Sequence, residues 1–162
     1  MNLLHSAPGE DPVTMEAVFR ATPERVFRAW TDPDEIGKWF GPSPDALIGA
    51  EIDLRIGGVW RFSFAQDDAE SACLEGEYLT IQPNERLEFT WSHVVTHKDG
   101  RRDASPASKV SVTLTPEAEG VRLTLRHEAI QLTDARLKVH GGWVASFERM
   151  EALFAGEAGA AA

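Results

Sequence analysis

From Leu47 to His127 the apolar residues recur at every second position, in successive runs separated by turn signals. That period belongs to strands buried on one side. Most of the chain is thereby committed to antiparallel hairpins sharing one apolar face. Ile52, Leu54 and Ile56 share a face, and so do Trp60, Phe62 and Phe64 beyond Gly57-Gly58. A hairpin centred on Gly58 sets Ile56 opposite Trp60 and Leu54 opposite Phe62; a slip of one residue would turn every apolar side chain outward. The next two runs, 74–81 and 87–93, centre on Asn84. They place Ile81 opposite Leu87, Leu79 opposite Phe89, Glu77 opposite Trp91 and Glu75 opposite His93, so two carboxylates and an imidazole are expected on the inner face. Val110, Val112 and Leu114 answer Val121, Leu123, Leu125 and His127 across the turn at 116–120. Here Leu114 meets Leu123 and His127 meets Val110. The stretch 94–107 reads as a long polar loop, with a basic patch of His97, Lys98, Arg101, Arg102 and Lys109.

A sheet with one apolar face needs a cover. Val139, Trp143, Phe147, Met150 and Phe154 recur at steps of four, four, three and four, the stripe of a long helix. Thr133 or Asp134 can cap its start. Gly141 and Gly142 interrupt it, although a glycine inside a helix costs about 1 kcal/mol relative to alanine. Two causes fit such a pair: a strand packed very close, or space kept for a guest. Val13 to Arg20 reads as a first strand.

Between that strand and the hairpins lies ATPERVFRAWTDPDEIGKWFGP, residues 21–42. Thr22-Pro23 is an N-cap with proline at the first helical position. Val26, Phe27 and Trp30 form an apolar stripe. Asp32-Pro33 restarts the pattern, Glu35 supplies a capping-box acid, and Ile36, Trp39 and Phe40 form a second stripe that Gly41-Pro42 ends. Helices this short are marginal alone, so the sheet must hold them. The expected order is one strand, two short helices, six strands as hairpins and one long helix. That makes an α+β domain over residues 13–156, with flexible tails at 1–12 and 157–162.

This corner, followed by Asp53-Leu54-Arg55-Ile56-Gly57-Gly58, Gly76-Glu77-Tyr78, Leu87-Glu88-Phe89-Thr90-Trp91 and Gly142-Trp143, resembles the bacterial homologues of the activator of heat-shock-protein-90 ATPase. These belong to the START-like (SRPBCC) superfamily, and the resemblance spans roughly residues 14–154. It implies a helix-grip fold: a curved antiparallel sheet of about seven strands around a long C-terminal helix. It also implies an interior that can take lipids, hormones or polyketides. A chaperone partner and cyclase- or aromatase-like catalysis are further possibilities it brings.

Net charge is −10, which disfavours broad contact with nucleic-acid phosphates. Cys73 is the only cysteine, so an internal disulfide is excluded. The start has no signal-peptide pattern and no run is long enough to span a membrane, so a cytoplasmic location is expected. No H-E-x-x-H, G-x-S-x-G, Walker or dinucleotide fingerprint occurs. No catalytic residue, metal or cofactor is assigned. The expectation is a small hydrophobic or aromatic ligand held between sheet and helix. Its lining would be Trp39, Phe40, Trp60, Phe62, Phe64, Phe89, Trp91, Trp143, Phe147 and Met150, with Glu75, Glu77, His93 and His127 as polar points. A co-chaperone-like interaction module and an enzyme using a pocket Glu or His are the alternatives.

Overall fold

The computed structural model describes residues 1–41, 43–64 and 70–161. Pro42, expected to end the second helix with Gly41, and Ala162 of the expected tail lie outside the described residues. Strands β1 (Leu4–His5) and β2 (Val13–Phe19) precede helices α1 (Pro23–Thr31) and α2 (Pro33–Ile36). Then come β3 (Leu47–Ile52), β4 (Val59–Phe64), β5 (Glu70–Gln82), β6 (Arg86–His97), β7 (Arg102–Ala104), β8 (Ser108–Glu117) and β9 (Gly120–Glu128), and last α3 (Thr133–Ala161). The nine described strands make one antiparallel sheet in the order β1-β2-β9-β8-β6-β5-β4-β3, with β7 paired to β6. Helix α3 lies across its inner face. Trp143, Phe147, Met150 and Phe154 are all buried there, and Phe19 of β2 meets Phe147 at 5.9 Å and Phe154 at 5.5 Å between ring centroids. This is the helix-grip arrangement that the resemblance implies.

The corner at 21–41 forms as its residues dictate. Thr22 accepts a hydrogen bond from the Arg25 amide at 3.1 Å, and Asp32 accepts from the Asp34 amide at 2.9 Å. Losing the second cap in Asp32→Ala should cost about 1 kcal/mol in a urea melt; no change would mean that water caps α2 equally well. Glu35 does not act as a capping-box acid. It is buried, 2.6 Å from Arg25 and in contact with Lys38. Arg25 also takes Glu157 of α3 in a bidentate pair at 2.8 Å, so this acid links α1 and α2 to the cation that α3 grips.

Three registers were expected, and one holds: Leu114 faces Leu123, both buried. The first hairpin differs. Ile52 pairs with Trp60 and Ala50 with Phe62, so Leu54 and Ile56 leave the ladder and are 42% and 61% exposed. Gly57 and Gly58 are not the turn centre but the contact with β5: Gly57 donates to the Tyr78 carbonyl and Tyr78 to the Gly58 carbonyl. A Cβ on Gly58 would sit 2.0 Å from the Asp53 carbonyl oxygen, which explains the residue. In the second hairpin Ile81 does face Leu87, but a bulge lies between Tyr78 and Thr80. Tyr78, not Leu79, therefore faces Phe89, and Leu79 turns to solvent. Upstream, Glu75 pairs with Ser92 and Leu74 with His93.

The expected long loop at 94–107 is mostly strand. β6 runs on to His97 and turns back as β7, with Val94 opposite Ala104. Its basic side chains are largely matched: His97 lies 2.7 Å from Asp103, Lys109 3.2 Å from Glu88, and Arg102 binds Glu75. The first twelve residues, expected as a tail, contain β1, whose His5 packs edge-on against the His140 ring of α3 at 4.9 Å. Helix α3 itself continues to Ala161, beyond the expected end at 156.

Candidate functional site

The interior between β4–β6, α1–α2 and α3 is a continuous aromatic cluster. Trp30 packs on Trp39 at 4.6 Å and lies nearly parallel to Trp143 at 5.6 Å and 21°. Phe40 meets Phe62 at 5.1 Å and Trp91 at 5.9 Å. Trp60 touches Phe62, Phe89 and Trp91 at 4.7, 5.4 and 5.7 Å. These rings, with Ile36, Tyr78 and Leu87, line a cavity of about 10 Å³, roughly the room of one water molecule.

Seven of the expected lining residues come together there: Trp39, Phe40, Trp60, Phe62, Phe89, Trp91 and Trp143. Phe147 and Met150 are buried but lie outside the lining, along the stretch of α3 nearer β2. Phe64 is half-buried at the rim of a polar cleft that it shares with Arg61, Ser63, Cys73 and Arg102. Sequence reasoning missed Trp30, Ile36, Tyr78 and Leu87 as lining residues. Tyr78 had a signal: Gly76, inside a strand, where a Cβ would lie 1.8 Å from the Thr90 carbonyl oxygen. Such a glycine marks close backbone approach and a distorted strand.

The polar points fare differently. Glu75 and Glu77, expected on the inner face, lie on the other one, because the bulge shifts their strand by one residue. Glu77 is exposed. Glu75 holds Arg61 at 2.8 Å and also binds Arg102. Burial acts to raise the Glu75 carboxyl, but hydrogen bonds from Arg61 and Arg102, with their charges, outweigh it and hold it below the usual carboxylate range. His93 is exposed beside α3, where partial desolvation of its ring and the Lys138 charge depress its pKa.

His127 is fully buried. The Trp143 indole N–H donates to its Nδ1 at 3.1 Å. An indole can only donate, so Nδ1 is bare and the proton of the neutral ring sits on Nε2. Nε2 then donates to Ser108 Oγ at 2.7 Å, and the Ser108 hydroxyl donates to the Trp91 carbonyl at 3.2 Å. The relay ties α3 to β9, β8 and β6 with every donor used once. Burial pushes the His127 pKa down to about 3.

One side of α3 is not closed by packing. Lys138 stands near His93. One turn on, a Cβ at Gly142 would meet nothing within 4 Å. Two turns beyond Gly142, Arg149 donates to the carbonyls of Phe40, Gly41 and Ser43 at 3.1–3.2 Å. Close strand contact is therefore not what selects glycine at 142. Half-buried Trp91 lies 5.4 Å from Trp143, the residue that follows Gly142.

Among the described residues no helix is long and apolar enough to cross a membrane. No group of three or more His, Cys, Asp or Glu is placed to hold a metal.

The fold recurs in solved bacterial proteins. CV1439 from Chromobacterium violaceum is 27% identical with a TM-score of 0.73, covering 90% of this chain and 98% of its own. MLL2253 from Mesorhizobium loti is 28% identical with a TM-score of 0.66, covering 88% and 95%. A Rhodobacter sphaeroides protein at 18% identity shares the fold with a TM-score of 0.72 over 96% and 99%. None of the curated proteins is similar to this chain. The family model described as activator of Hsp90 ATPase homolog 1-like protein matches residues 20–155, and the chain belongs to that family.

Proposed function

We propose that this protein binds a small hydrophobic or aromatic molecule in its aromatic interior, admitted beside Gly142. What supports this reading is the aromatic-lined cavity between sheet and α3, with Trp143 in its wall, and the open space beside its neighbour Gly142. A Cβ at 142 meets nothing within 4 Å, so a leucine there is expected at little steric cost. With a cavity of about 10 Å³, a guest must displace rings. Trp91 is the ring to move, since it alone of the lining residues is half-buried. Binding is therefore expected to be slower than encounter, as for sites that rearrange.

The acid–base pair that a cyclase-like reading needs does not assemble. Glu75 and Glu77 are on the other face, and both His127 nitrogens are engaged. The test is uptake of a hydrophobic fluorescent probe. Gly142→Leu should weaken it about tenfold, or 1.4 kcal/mol, while the melting curve stays close to wild type. Glu77→Gln should change nothing. A wild type that takes up no probe, or a Gly142→Leu variant that unfolds, would remove the reading.

A second reading rests on a separate feature. Leu54, Ile56, Val59 and Leu79 are all exposed, and backbone hydrogen bonds join the segment holding the first three to Tyr78, the neighbour of Leu79. Grouped apolar side chains at one end of a sheet fit a protein partner, here a chaperone ATPase. Ile56→Glu combined with Leu79→Glu should abolish any change this protein makes in chaperone ATPase rate while leaving probe uptake intact. An unchanged rate effect would exclude this surface.

A further inference from the structure

Three buried side-chain atoms have no hydrogen-bond partner among the described residues: Arg25 Nη1, Glu35 Oε2 and Trp30 Nε1. The first two are answered by charge, since Arg25 Nη1 lies 2.6 Å from Glu35 Oε1 and Glu35 Oε2 contacts Lys38. Trp30 Nε1 is answered by nothing. The other buried indoles all donate: Trp39 to the Ala29 carbonyl at 2.8 Å, Trp60 to the Thr90 carbonyl at 3.1 Å and Trp143 to His127. Buried indole N–H groups usually find an acceptor, because an unmade bond costs the full desolvation of the donor.

Trp30 cannot swing to find one. It is 5% exposed, with Trp39 on one side at 4.6 Å and Trp143 nearly parallel on another at 5.6 Å. Both neighbours are pinned by their own hydrogen bonds. Trp30 also lines the aromatic cavity, whose other walls are apolar apart from the spent indoles of Trp39, Trp60 and Trp143, the indole of half-buried Trp91 and the Tyr78 hydroxyl. The lining thus joins flat apolar faces to a ring whose buried donor has no acceptor among the described residues, and no charged side chain lines it.

We propose that the molecule bound here is a neutral planar aromatic that carries a carbonyl or ether oxygen, which accepts the hydrogen bond of Trp30 Nε1. This rests on the ligand-binding reading above and specifies its chemistry. A charged guest would be stranded, with no counter-charge in the lining. A pure hydrocarbon would leave the donor unpaired and lose the discrimination that a buried polar group provides.

The test compares 9-fluorenone with fluorene, which share a shape and differ by a carbonyl against a methylene. The first readout is binding to the full-length protein, and the second is the 15N–1H spectrum of its indoles, with the Trp30 signal assigned by its loss in Trp30→Phe. Fluorenone should bind about tenfold more tightly than fluorene. It should move the Trp30 indole proton downfield where fluorene does not, and Trp30→Phe should erase the preference while keeping fluorene binding. Equal binding of the two, with the Trp30 signal moving alike, overturns the acceptor inference and leaves the ligand reading in place. Failure of both to bind overturns both. Should Trp30→Phe not fold, triple-resonance assignment identifies the Trp30 indole, and the wild-type pair and spectrum decide alone.

Discussion

Trp30→Ala is expected to lower the unfolding free energy by about 3–5 kcal/mol. The ring is buried between Trp39 and Trp143 and lines the cavity. Its loss would leave a void continuous with that cavity, and the neighbours cannot collapse into it. Trp39 is held by Ala29 and Trp143 by His127. No hydrogen bond of Trp30 is lost, since none is made, so the cost is packing alone. Urea melts should show a lower midpoint at unchanged slope. An effect no larger than that of Asp32→Ala would mean that α1 is not anchored through this ring.

His127→Leu is expected to cost about 2–5 kcal/mol at neutral pH, because it orphans the Trp143 indole N–H and breaks the Ser108 link. The pH profile separates this from simple loss of packing. In the unfolded chain the imidazole takes a proton near its ordinary value of 6.5, whereas burial delays this in the folded protein until about 3. Between those values the unfolded state binds more protons, so stability is full above the upper value and falls as pH drops. This one group contributes a slope of up to about 1.4 kcal/mol per pH unit. His127→Leu should flatten the profile between pH 6 and 4 by that amount. An equal slope in both proteins would place the acid sensitivity elsewhere; the carboxylate of Glu88, which side-chain hydrogen bonds from Thr80 and others hold at about 2 against burial, gives up its contribution mainly below 4.5.

Which inferences from sequence held depends on the parity of the strand register. In the β3–β4 hairpin Phe62 pairs with Ala50 where Leu54 was expected. The slip is an even number of residues, so Trp60 and Phe62 kept their face and the aromatic lining was legible. In β5–β6 the slip is a single residue, and it sent Glu75 and Glu77 outward while bringing Tyr78 in. Its cause is long-range: Tyr78 must pair with both Gly57 and Gly58, a contact that alternation within β5 cannot encode. β8–β9 has no bulge, and there the register and the inward His127 were both readable. Trp30 was legible as core, but its role in the cavity depends on where α3 lands, which the stripe on α3 alone does not say.

Helix α3 follows every strand in the chain, yet Phe154 packs on Phe19 and Arg25 grips Glu157 across 132 residues of sequence. As the protein emerges from the ribosome, every strand of the sheet is made before the helix that covers its inner face. The rings that line the interior, Trp91 among them, lack their contact with Trp143 until α3 has been released. Such sequence-distant closure slows folding, because the chain entropy is lost before the contacts are made. Exposed apolar faces of this kind are what holdase chaperones bind. The nascent chain should therefore be a client for most of its synthesis, whichever partner the finished protein serves.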